Sequence, residues 1–265
     1  MSTGDAFQIN LASLLEWQLW AFGSFEGYHT QLFPYLVGPG DRCLDVGANI
    51  GLHAVRLARL AGPGGEVIAI EPDPELARRA AGNMVLNGLD NVRILQAAAS
   101  DEAGGLVSLY RATARDPNWG RASLLPHAYL TGPATQVGTV TIDQATGADS
   151  DDGADRGGHV ALIKIDVEGH EAAVVAGATR TIARHQPAII FEYAPDLLTD
   201  LAQCPFQALA DTGYNIFRIR ADRHRLSGRL RLGLEPLPVQ PETGGDLLAI
   251  CARDLGRVSS LIRPT

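Results

Sequence analysis

The sequence predicts an α/β protein built on a doubly wound, mostly parallel β-sheet. The first observation is that apolar segments of strand length alternate with segments whose apolar residues recur at helical spacing. The strands predicted in this way include Cys43–Val46, Val67–Ile70, Val92–Gln96, Val160–Ile165 and Pro187–Tyr193. The second observation is that acidic residues stand at strand ends, at Asp45, Glu71, Asp166 and Glu192. Because the carboxyl ends of parallel strands meet at one edge of a sheet, where such folds bind ligands, these acids are expected to converge.

The size and composition of the chain indicate one large α/β domain or two small ones. The chain has 265 residues, of which 46% are hydrophobic and 20% are charged, and its formal net charge is −8. This negative balance argues against nucleic acid or an anionic membrane as the main partner. The N-terminus lacks a signal-peptide pattern, and no apolar run reaches membrane-spanning length, so a cytoplasmic protein is expected.

The cysteines support the same expectation about the compartment. The chain has three of them, Cys43, Cys204 and Cys251, and no two have metal-binding spacing. An odd number of scattered cysteines is not a disulfide framework. We therefore expect buried free thiols in a reducing environment.

The segment Asp45–Gly51 reads Asp-Val-Gly-Ala-Asn-Ile-Gly and joins a strand to a helix. Gly47 and Gly51 let the backbone turn sharply and let a ligand lie against it, while the helix start offers unpaired N–H groups. The Asp45 carboxylate is placed to hold an amine or ammonium group. The spacing differs from Gly-x-Gly-x-x-Gly, in which close-set glycines admit a pyrophosphate. The plain alternative is a glycine turn that only connects a strand with a helix.

A second strand-to-helix turn follows the buried segment Val160–Ile165. It reads Asp-Val-Glu-Gly-His-Glu over residues 166–171. Candidate general bases there are Asp166, Glu168 and His170, and Glu192 lies at the end of the next strand. Of these, histidine has the pKa best suited to neutral pH. Each acid has an alternative role as a helix cap, and a local role of this kind is the preferred interpretation of Glu171.

Both turns are similar to motifs of one enzyme family. Asp45–Gly51 resembles motif I of class I S-adenosylmethionine (SAM) methyltransferases in the form typical of the FkbM family. Lys164–Glu171 resembles the family's Lys-Ile-Asp-Val-Glu-Gly-x-Glu signature, and the likeness runs from about Phe25 to Tyr193. The resemblance implies a Rossmann-like, seven-stranded, mostly parallel sheet with an antiparallel C-terminal hairpin. It also implies that SAM is the cofactor.

The resemblance and the strand-end positions together give an expected cofactor site. An acid at the end of the second strand, here Glu71, is where a ribose diol is held. Small residues after the third strand leave room for adenine. The expected cofactor-binding residues are Glu26, Asp45, Gly47, Asn49, Gly51, Glu71, Pro72, Ala98, Ser100, Asp101 and Asp166. The plain alternatives are a helix N-terminal acid at Glu71 and a tight, Asp-capped turn at Asp101.

The expected activity is methyl transfer from SAM to a hydroxyl of a small-molecule acceptor, such as a sugar or a polyketide-like natural product. Asp166, Glu168, His170 and Glu192 are the catalytic candidates. Because Mg²⁺ prefers oxygen ligands, three of these acids, Asp166, Glu168 and Glu192, are also candidate magnesium ligands. N-methylation or carboxyl methylation of a small molecule or peptide, and a non-catalytic SAM-binding role, stay open. The glycine spacing counts against an NAD-linked oxidoreductase.

The remaining elements complete the expected organisation. Residues 1–40 are predicted to form a helical segment that caps the site of a methyltransferase domain spanning residues 41–265, with helices over 8–22 and Tyr28–Leu36. The irregular stretch Arg111–Gly138 is expected to be a binding loop, with Trp119 stacking on the acceptor. The sequence leaves open whether the chain is a monomer or a homodimer. Further predicted elements are an extended Val140–Asp143, one continuous helix from Ala172 to Ile182, a helical Leu197–Gly213 interrupted at Pro205, the hairpin strands Tyr214–Ile219 and Leu247–Cys251, and a basic, solvated Arg220–Arg231.

Overall fold

The computed structural model describes residues 4–23, 27–112, 122–126, 130–150, 158–197, 204–223 and 230–263. Its strands are β1 (Arg42–Val46), β2 (Glu66–Ile70), β3 (Val92–Leu95), β4 (Ala98–Ala99), β5 (Leu106–Arg111), β6 (Ala122–Ser123), β7 (Thr135–Val140), β8 (Val160–Ile165), β9 (Ala188–Tyr193), β10 (Tyr214–Arg223), β11 (Leu230–Pro236) and β12 (Gly245–Cys251). Its α-helices are α1 (Leu14–Phe22), α2 (Gly27–Leu36), α3 (Leu52–Ala61), α4 (Pro74–Leu86), α5 (Ile142–Thr146), α6 (Glu171–Ala176), α7 (Thr179–His185), α8 (Phe206–Asp211) and α9 (Leu255–Val258).

The main sheet confirms the predicted fold class. Its strand order is β11-β10-β12-β9-β8-β1-β2-β3. The central strands β9, β8, β1, β2 and β3 are parallel, whereas β12 runs antiparallel to both β9 and β10. Since β1 continues to β2 on one side and pairs with β8 on the other, the strand order reverses at β1, where doubly wound sheets bind ligands.

The sheet has eight strands, and the predicted count of seven was therefore too low. The additional strand β11 pairs with β10 at the sheet edge, from Phe217 opposite Pro236 to Arg223 opposite Leu230. Because residues 223–231 include four arginines, the sequence predicted a basic, solvated segment here. The pairing shows that an edge strand tolerates such residues, because one of its sides faces water.

Two hydrophobic cores cover the two faces of the sheet. Leu44 and Val46 of β1 belong to the core that includes residues of α6, α7 and α8. Cys43, the neighbour of Leu44 in the same strand, belongs to the core on the other face, which includes residues of α2, α3 and α9. Alternate side chains of β1 thus point to opposite faces, as expected for a strand buried on both sides. All three cysteines are free and buried, as predicted.

A second, four-stranded sheet of order β4-β7-β5-β6 follows β3. The prediction of an irregular Arg111–Gly138 was wrong where this sheet forms, because β6 and most of β7 lie within that stretch and pair with β5. The prediction of an extended Val140–Asp143 was wrong, because β7 ends at Val140 and Thr141 caps α5. The Thr141 hydroxyl accepts a hydrogen bond from the backbone N–H of Gln144 at 3.0 Å, a side-chain cap that sequence alone does not separate from strand propensity.

Two helix predictions also need correction. The first helix begins at Leu14, not near residue 8, because Ser13 caps it. The predicted helix from Ala172 to Ile182 is broken into α6 and α7 around Gly177. A Cβ atom at Gly177 would lie 2.1 Å from the carbonyl oxygen of Ser100, so glycine is needed there for close approach of the two backbones.

Candidate active site at the carboxyl edge of the sheet

A cavity of about 350 Å³ opens at the carboxyl ends of β1, β2, β8 and β9. Three of the four acids that the sequence placed at strand ends line this cavity, namely Glu71, Asp166 and Glu192. Residues of α1, the glycine turn, the second sheet and the β8 turn complete it. They include Leu14, Leu15, Gly47, Asn49, Pro72, Ala98, Leu109, Ser123, Lys164 and Glu168.

The two sequence motifs are locked together at the base of this cavity. Gly47 has φ +77°, and a Cβ atom there would lie 1.8 Å from the carbonyl oxygen of Asp166. The backbone N–H of Asp166 donates to the carbonyl of Val46 at 3.0 Å, and that of Gly47 donates to the carbonyl of Ile70 at 2.9 Å. Glycine at 47 is therefore required for both conformation and space, and it fixes the β1 turn against the β8 turn.

Glu71 organises the wall between β1 and β2. One of its carboxylate oxygens accepts the N–H of Asn49 at 2.7 Å, and the other accepts the N–H of Asp73 at 2.9 Å. Asn49 holds a left-handed conformation with φ +50°. Burial raises the pKa of Glu71 to about 7, against the lowering effect of the two N–H donors. Each oxygen retains a second lone pair, so Glu71 can still accept hydroxyl hydrogens from a ligand in the cavity.

Lys164 forms the charged floor between β1 and β8. Its ammonium nitrogen lies 3.0 Å from Asp166 Oδ2 and 3.8 Å from Asp45 Oδ1. Lys164 is only 3% exposed, and it lines the cavity together with Asp166. Asp45 is fully buried and does not line the cavity. The geometry therefore makes Asp45 a countercharge beneath the floor, whereas direct contact with a cofactor amine had been predicted.

Glu192 lies beside two other carboxylates on the β9 side of the cavity. Burial, followed by the negative charges of Asp166 and Glu168, raises the pKa of Glu192 to about 9. Asp246 is the cross-strand neighbour of Glu192 on β12 and adds to this effect. Glu168 sits in the turn with φ +53°, and its carbonyl accepts the Ser123 hydroxyl at 2.9 Å. The result is a concentration of carboxyl groups, which suits a cationic ligand because its charge favours their ionised form.

The N-terminal segment reaches the opposite rim of the cavity. Residues lining it from this segment are Ser13, Leu14, Leu15 and Gln18. Glu16 is buried and forms an ion pair with Arg79 of α4, at 2.9 Å to one guanidinium nitrogen. Arg79 also donates to the carbonyl of Gln8 at 3.0 Å. This segment therefore borders the cavity, while its capping role and the domain division at residue 40 stay predictions.

Several predicted site residues lie elsewhere. The Ser100 hydroxyl bonds to Asp101 at 2.9 Å and lies 3.1 Å from His170 Nε2, and none of the three lines the cavity. Asp101 and His170 instead border a second cavity of about 880 Å³ beside α6, α7 and α8. Burial lowers the pKa of His170, opposed by the charge of Asp101. The turn at Gly169 sends His170 away from Glu168, so a catalytic role for His170 is not supported by its position.

Gly51 and Glu26 are the remaining predicted cofactor-binding residues. Gly51 has φ +83° at the start of α3, where an added Cβ atom would lie 2.5 Å from the end of the Met84 side chain, so its role is in packing. Glu26, a predicted cofactor residue, and Trp119, a predicted acceptor contact, lie outside the described residues. Glu171 accepts the backbone N–H groups of Val167 at 3.3 Å and Gly169 at 3.2 Å, which confirms its predicted local role.

Sequence reasoning missed three contributors to the cavity. Lys164 had a signal, since a lysine inside a strand buried on both faces needs a countercharge. His53 also lines the cavity, and its ring lies edge-on to that of His29 with 5.3 Å between centroids. Nothing in the local pattern of α3 distinguishes His53 from a packed core histidine. For α1, the sequence predicted a capping segment but not which of its residues line the cavity, because that depends on tertiary placement.

The magnesium hypothesis gains no support from the donor set. Within the described ranges, no group of three or more histidine, cysteine, aspartate or glutamate side chains is arranged to hold a metal ion. Asp166 is already bound by Lys164.

The sequence comparison identifies the family. A model of the methyltransferase FkbM domain matches residues 45–206, a span that contains both turns of the cavity. The chain belongs to the FkbM methyltransferase family. This confirms the predicted family.

Individual relatives of this FkbM-family chain match over different spans. The 2-O-methyltransferase NoeI of Sinorhizobium fredii is 29% identical over 191 residues, which cover 69% of this chain and 75% of NoeI. A protein-L-isoaspartate O-methyltransferase of Ignicoccus hospitalis is 46% identical over 56 residues, which cover 21% of this chain and 26% of that enzyme. The chain thus matches only about a quarter of the length of that isoaspartate methyltransferase. An FkbM methyltransferase structure from Methylobacillus flagellatus has 16% identity and a TM-score of 0.46, covering 92% of this chain and 56% of the other.

Proposed function

We propose that this FkbM-family protein transfers the methyl group of SAM to a hydroxyl oxygen of a small molecule, such as a sugar or a polyketide-like natural product. The observation that carries the proposal is the convergence of Glu71, Asp166, Glu168 and Glu192 on one cavity at the switch point of the sheet. The 2-O-methyltransferase activity in the name of NoeI supports oxygen as the acceptor atom.

The cavity residues fit the chemical groups of SAM. SAM supplies an already activated methyl group on a positively charged sulfur. Glu71 offers carboxylate lone pairs for the hydroxyls of a ribose, and the small side chains of Ala98 and Ala99 leave flat space beside it. The carboxylates of Asp166 and Glu168 give the β8 side a negative charge that favours a sulfonium and an ammonium group.

Glu192 is the residue best suited to receive the proton of the acceptor hydroxyl. Asp166 is held by Lys164 at 3.0 Å, whereas Glu192 has its pKa raised and faces the cavity. When the oxygen–methyl bond forms, the hydroxyl proton passes to the ionised Glu192 carboxylate and then to solvent. A base placed in this way contributes about 10²–10⁴-fold to the rate.

The cellular setting is part of the same proposal. All three cysteines are free and buried, which supports a reducing compartment such as the cytoplasm. Among the described helices, none combines the length and apolar character needed to cross a bilayer.

The proposal is tested by calorimetric titration with SAM and with NAD. SAM is expected to bind and NAD is not. Glu71→Gln is expected to weaken SAM binding at least tenfold, because a charge-assisted bond to the ribose is lost. Glu66→Gln is the matched control, since Glu66 begins the same strand at the opposite edge and pairs with Arg42 and Arg93. Binding of NAD in preference to SAM, or equal effects of the two variants, would contradict the proposal.

A further inference from the structure

The outer face of α1 is unusual because its polar and apolar residues are inverted. Glu16 is 2% exposed and points inward to Arg79, whereas Trp17, Trp20 and Phe22 are 42%, 64% and 69% exposed. A surface helix of a globular protein normally presents its charged residues to water and buries its aromatic ones. Large exposed apolar patches of this kind mark binding surfaces more often than singly scattered residues do.

The exposed residues form one stripe. Leu14, Trp17 and Trp20 follow each other at intervals of three residues in α1, which places them on neighbouring turns of one side, and the exposed Leu11 lies in the turn just before the helix. Phe22 joins the stripe through an edge-to-face contact with Trp17, with 6.0 Å between ring centroids. The stripe, defined here as these five residues, is therefore a continuous apolar surface.

The placement of the stripe is fixed by the rest of the fold. Leu19 on the inner side of α1 packs with Ile50 and Leu76. The segment before α1 is tied to α4, where the Asn83 side chain accepts the N–H of Gln8 at 2.8 Å and that of Asn87 accepts the N–H of Ala6 at 2.9 Å. The aromatic side chains thus face outward in a helix that is anchored on its opposite side.

The stripe begins at the rim of the active-site cavity. Leu14 belongs to both, since it lines the cavity and is 42% exposed. Leu15 and Gln18 of the same helix also line the cavity. A molecule whose reactive hydroxyl lies beside Glu192 can therefore extend over Leu14 onto Trp17 and Trp20.

The charge around the stripe restricts the ligand class. The chain has no lysine or arginine before Arg42. The nearby acid Glu16 is neutralised by Arg79, and Asp5 pairs with Arg59. An uncharged apolar surface complements a neutral hydrocarbon chain and offers no cations to an anionic membrane or an acidic partner.

We propose that the stripe binds the hydrocarbon chain of the methyl acceptor, and that the acceptor is an amphiphile with a hydroxylated head and an alkyl or acyl tail. This inference depends on the proposed function, because it places the head of the acceptor in the methyl-transfer cavity. Its tail lies along Leu14, Trp17 and Trp20 and shields them from water.

The test uses methyl, hexyl and octyl β-D-glucoside as probes, each below its critical micelle concentration, titrated into the protein saturated with S-adenosylhomocysteine. Affinity is expected to rise about twofold to fourfold for each added methylene, with a negative heat-capacity change. The variant Trp17→Ser/Trp20→Ser should lose most of this chain-length dependence. The control Leu106→Ser/Val239→Ser removes two side chains outside the stripe that are 73% and 70% exposed. This control should retain the dependence of affinity on chain length.

Several results would overturn the inference. One is equal affinity for methyl and octyl glucoside, and another is equal loss in the two double variants. A wild-type dimer that dissociates in Trp17→Ser/Trp20→Ser would assign the stripe to a second copy of the chain. Binding to phosphatidylcholine vesicles without binding of monomeric octyl glucoside would assign it to a bilayer. A separate SAM titration keeps the two proposals distinct, because its failure contradicts the proposed function, whereas retained SAM binding without chain-length dependence contradicts only this inference.

Discussion

Lys164 gives the carboxylates of the cavity different environments. Its ammonium nitrogen lies near both Asp166 and Asp45, so these two anions share a countercharge in the floor. Glu192 is placed against Asp166 and Glu168 instead, and burial together with their charges raises its pKa to about 9. At neutral pH, Glu192 is therefore the carboxyl group of this cluster that carries a proton before any cation binds.

SAM binding is expected to release this proton. The sulfonium and ammonium charges favour the ionised carboxylate, so they lower the pKa of Glu192. Calorimetry at pH 8 in buffers of different ionisation enthalpy should show release of up to about one proton per SAM bound. Glu192→Gln should remove most of the release, and Glu66→Gln should leave it unchanged. Equal proton release in Glu192→Gln and wild type would show that another group titrates.

At the residue scale, the position of a side chain in a strand or turn was used to predict whether it reaches the cavity. These predictions agree with the structure where the local backbone geometry decides the direction of the side chain. Glu71 and Asp166 reach the cavity because each directly follows a parallel strand, and Glu192 reaches it from within the carboxyl end of β9. His170 does not, because the left-handed conformations of Glu168 and Gly169 turn the chain away before it. Asp45 lies under the floor because it is the register partner of Lys164 on the neighbouring strand β8, so the two side chains project from the same face of the sheet.

The segment before α1, α1 itself and α4 behave as one element at the scale of secondary structure. Arg79 and Asn83 of α4 and its C-cap residue Asn87 are spaced four residues apart, so they lie on one side of that helix. All three bond to the stretch that leads into α1. The rim of the cavity formed by α1 therefore depends on polar contacts with α4 as well as on Leu19.

Removal of the central ion pair should detach this element. Arg79→Met leaves Glu16 as a buried charge without its partner, a change that typically costs about 3–5 kcal/mol. We expect faster hydrogen exchange over residues 5–22 and weaker SAM binding, with the sheet still protected. Glu16→Gln/Arg79→Met should recover part of the protection because the unpaired charge is gone. Arg59→Met is the control, since its pair with Asp5 is exposed on the arginine side and surface pairs contribute up to about 1 kcal/mol. Unchanged exchange in Arg79→Met would contradict this role.

Some element boundaries followed from local caps and glycines, although the caps at Ser13 and Thr141 were missed. Asp73 caps α4 with Pro74 in its first turn, and Gly23 ends α1 in a left-handed conformation. The break between α6 and α7 was missed because it depends on contact between Gly177 and Ser100, which are far apart in the chain. Strand β11 was missed for a related reason, since edge pairing is decided by its neighbour β10 and not by its own composition.

For the molecule as a whole, the buried carboxyl groups make stability depend on pH. Burial raises the pKa of both Glu71 and Glu171 to about 7, and burial with neighbouring charges raises that of Glu192 to about 9. A carboxyl group whose pKa is higher in the folded protein than in the unfolded chain favours folding when protonated. Its contribution is complete below the unfolded value, near pH 4.5, and is lost as the pH rises through the folded value.

The free energy of unfolding of the unliganded protein should therefore decrease as the pH rises from about 5 to about 9. Glu71 and Glu171 act in the lower part of this range, and Glu192 continues the decrease above pH 7. Urea denaturation at pH 6, 7.5 and 9 should show the decline, and Glu192→Gln should flatten it between pH 7.5 and 9 because it has no proton to lose. SAM should restore stability most at high pH, since a ligand that binds only the folded protein stabilises it and its positive charge neutralises the cluster. The same dependence of the unfolding free energy on pH in Glu192→Gln as in Glu66→Gln would exclude Glu192 as the source of the decline. Ionisation of Glu192 would then not destabilise the unliganded protein, and a cation would gain nothing by neutralising it.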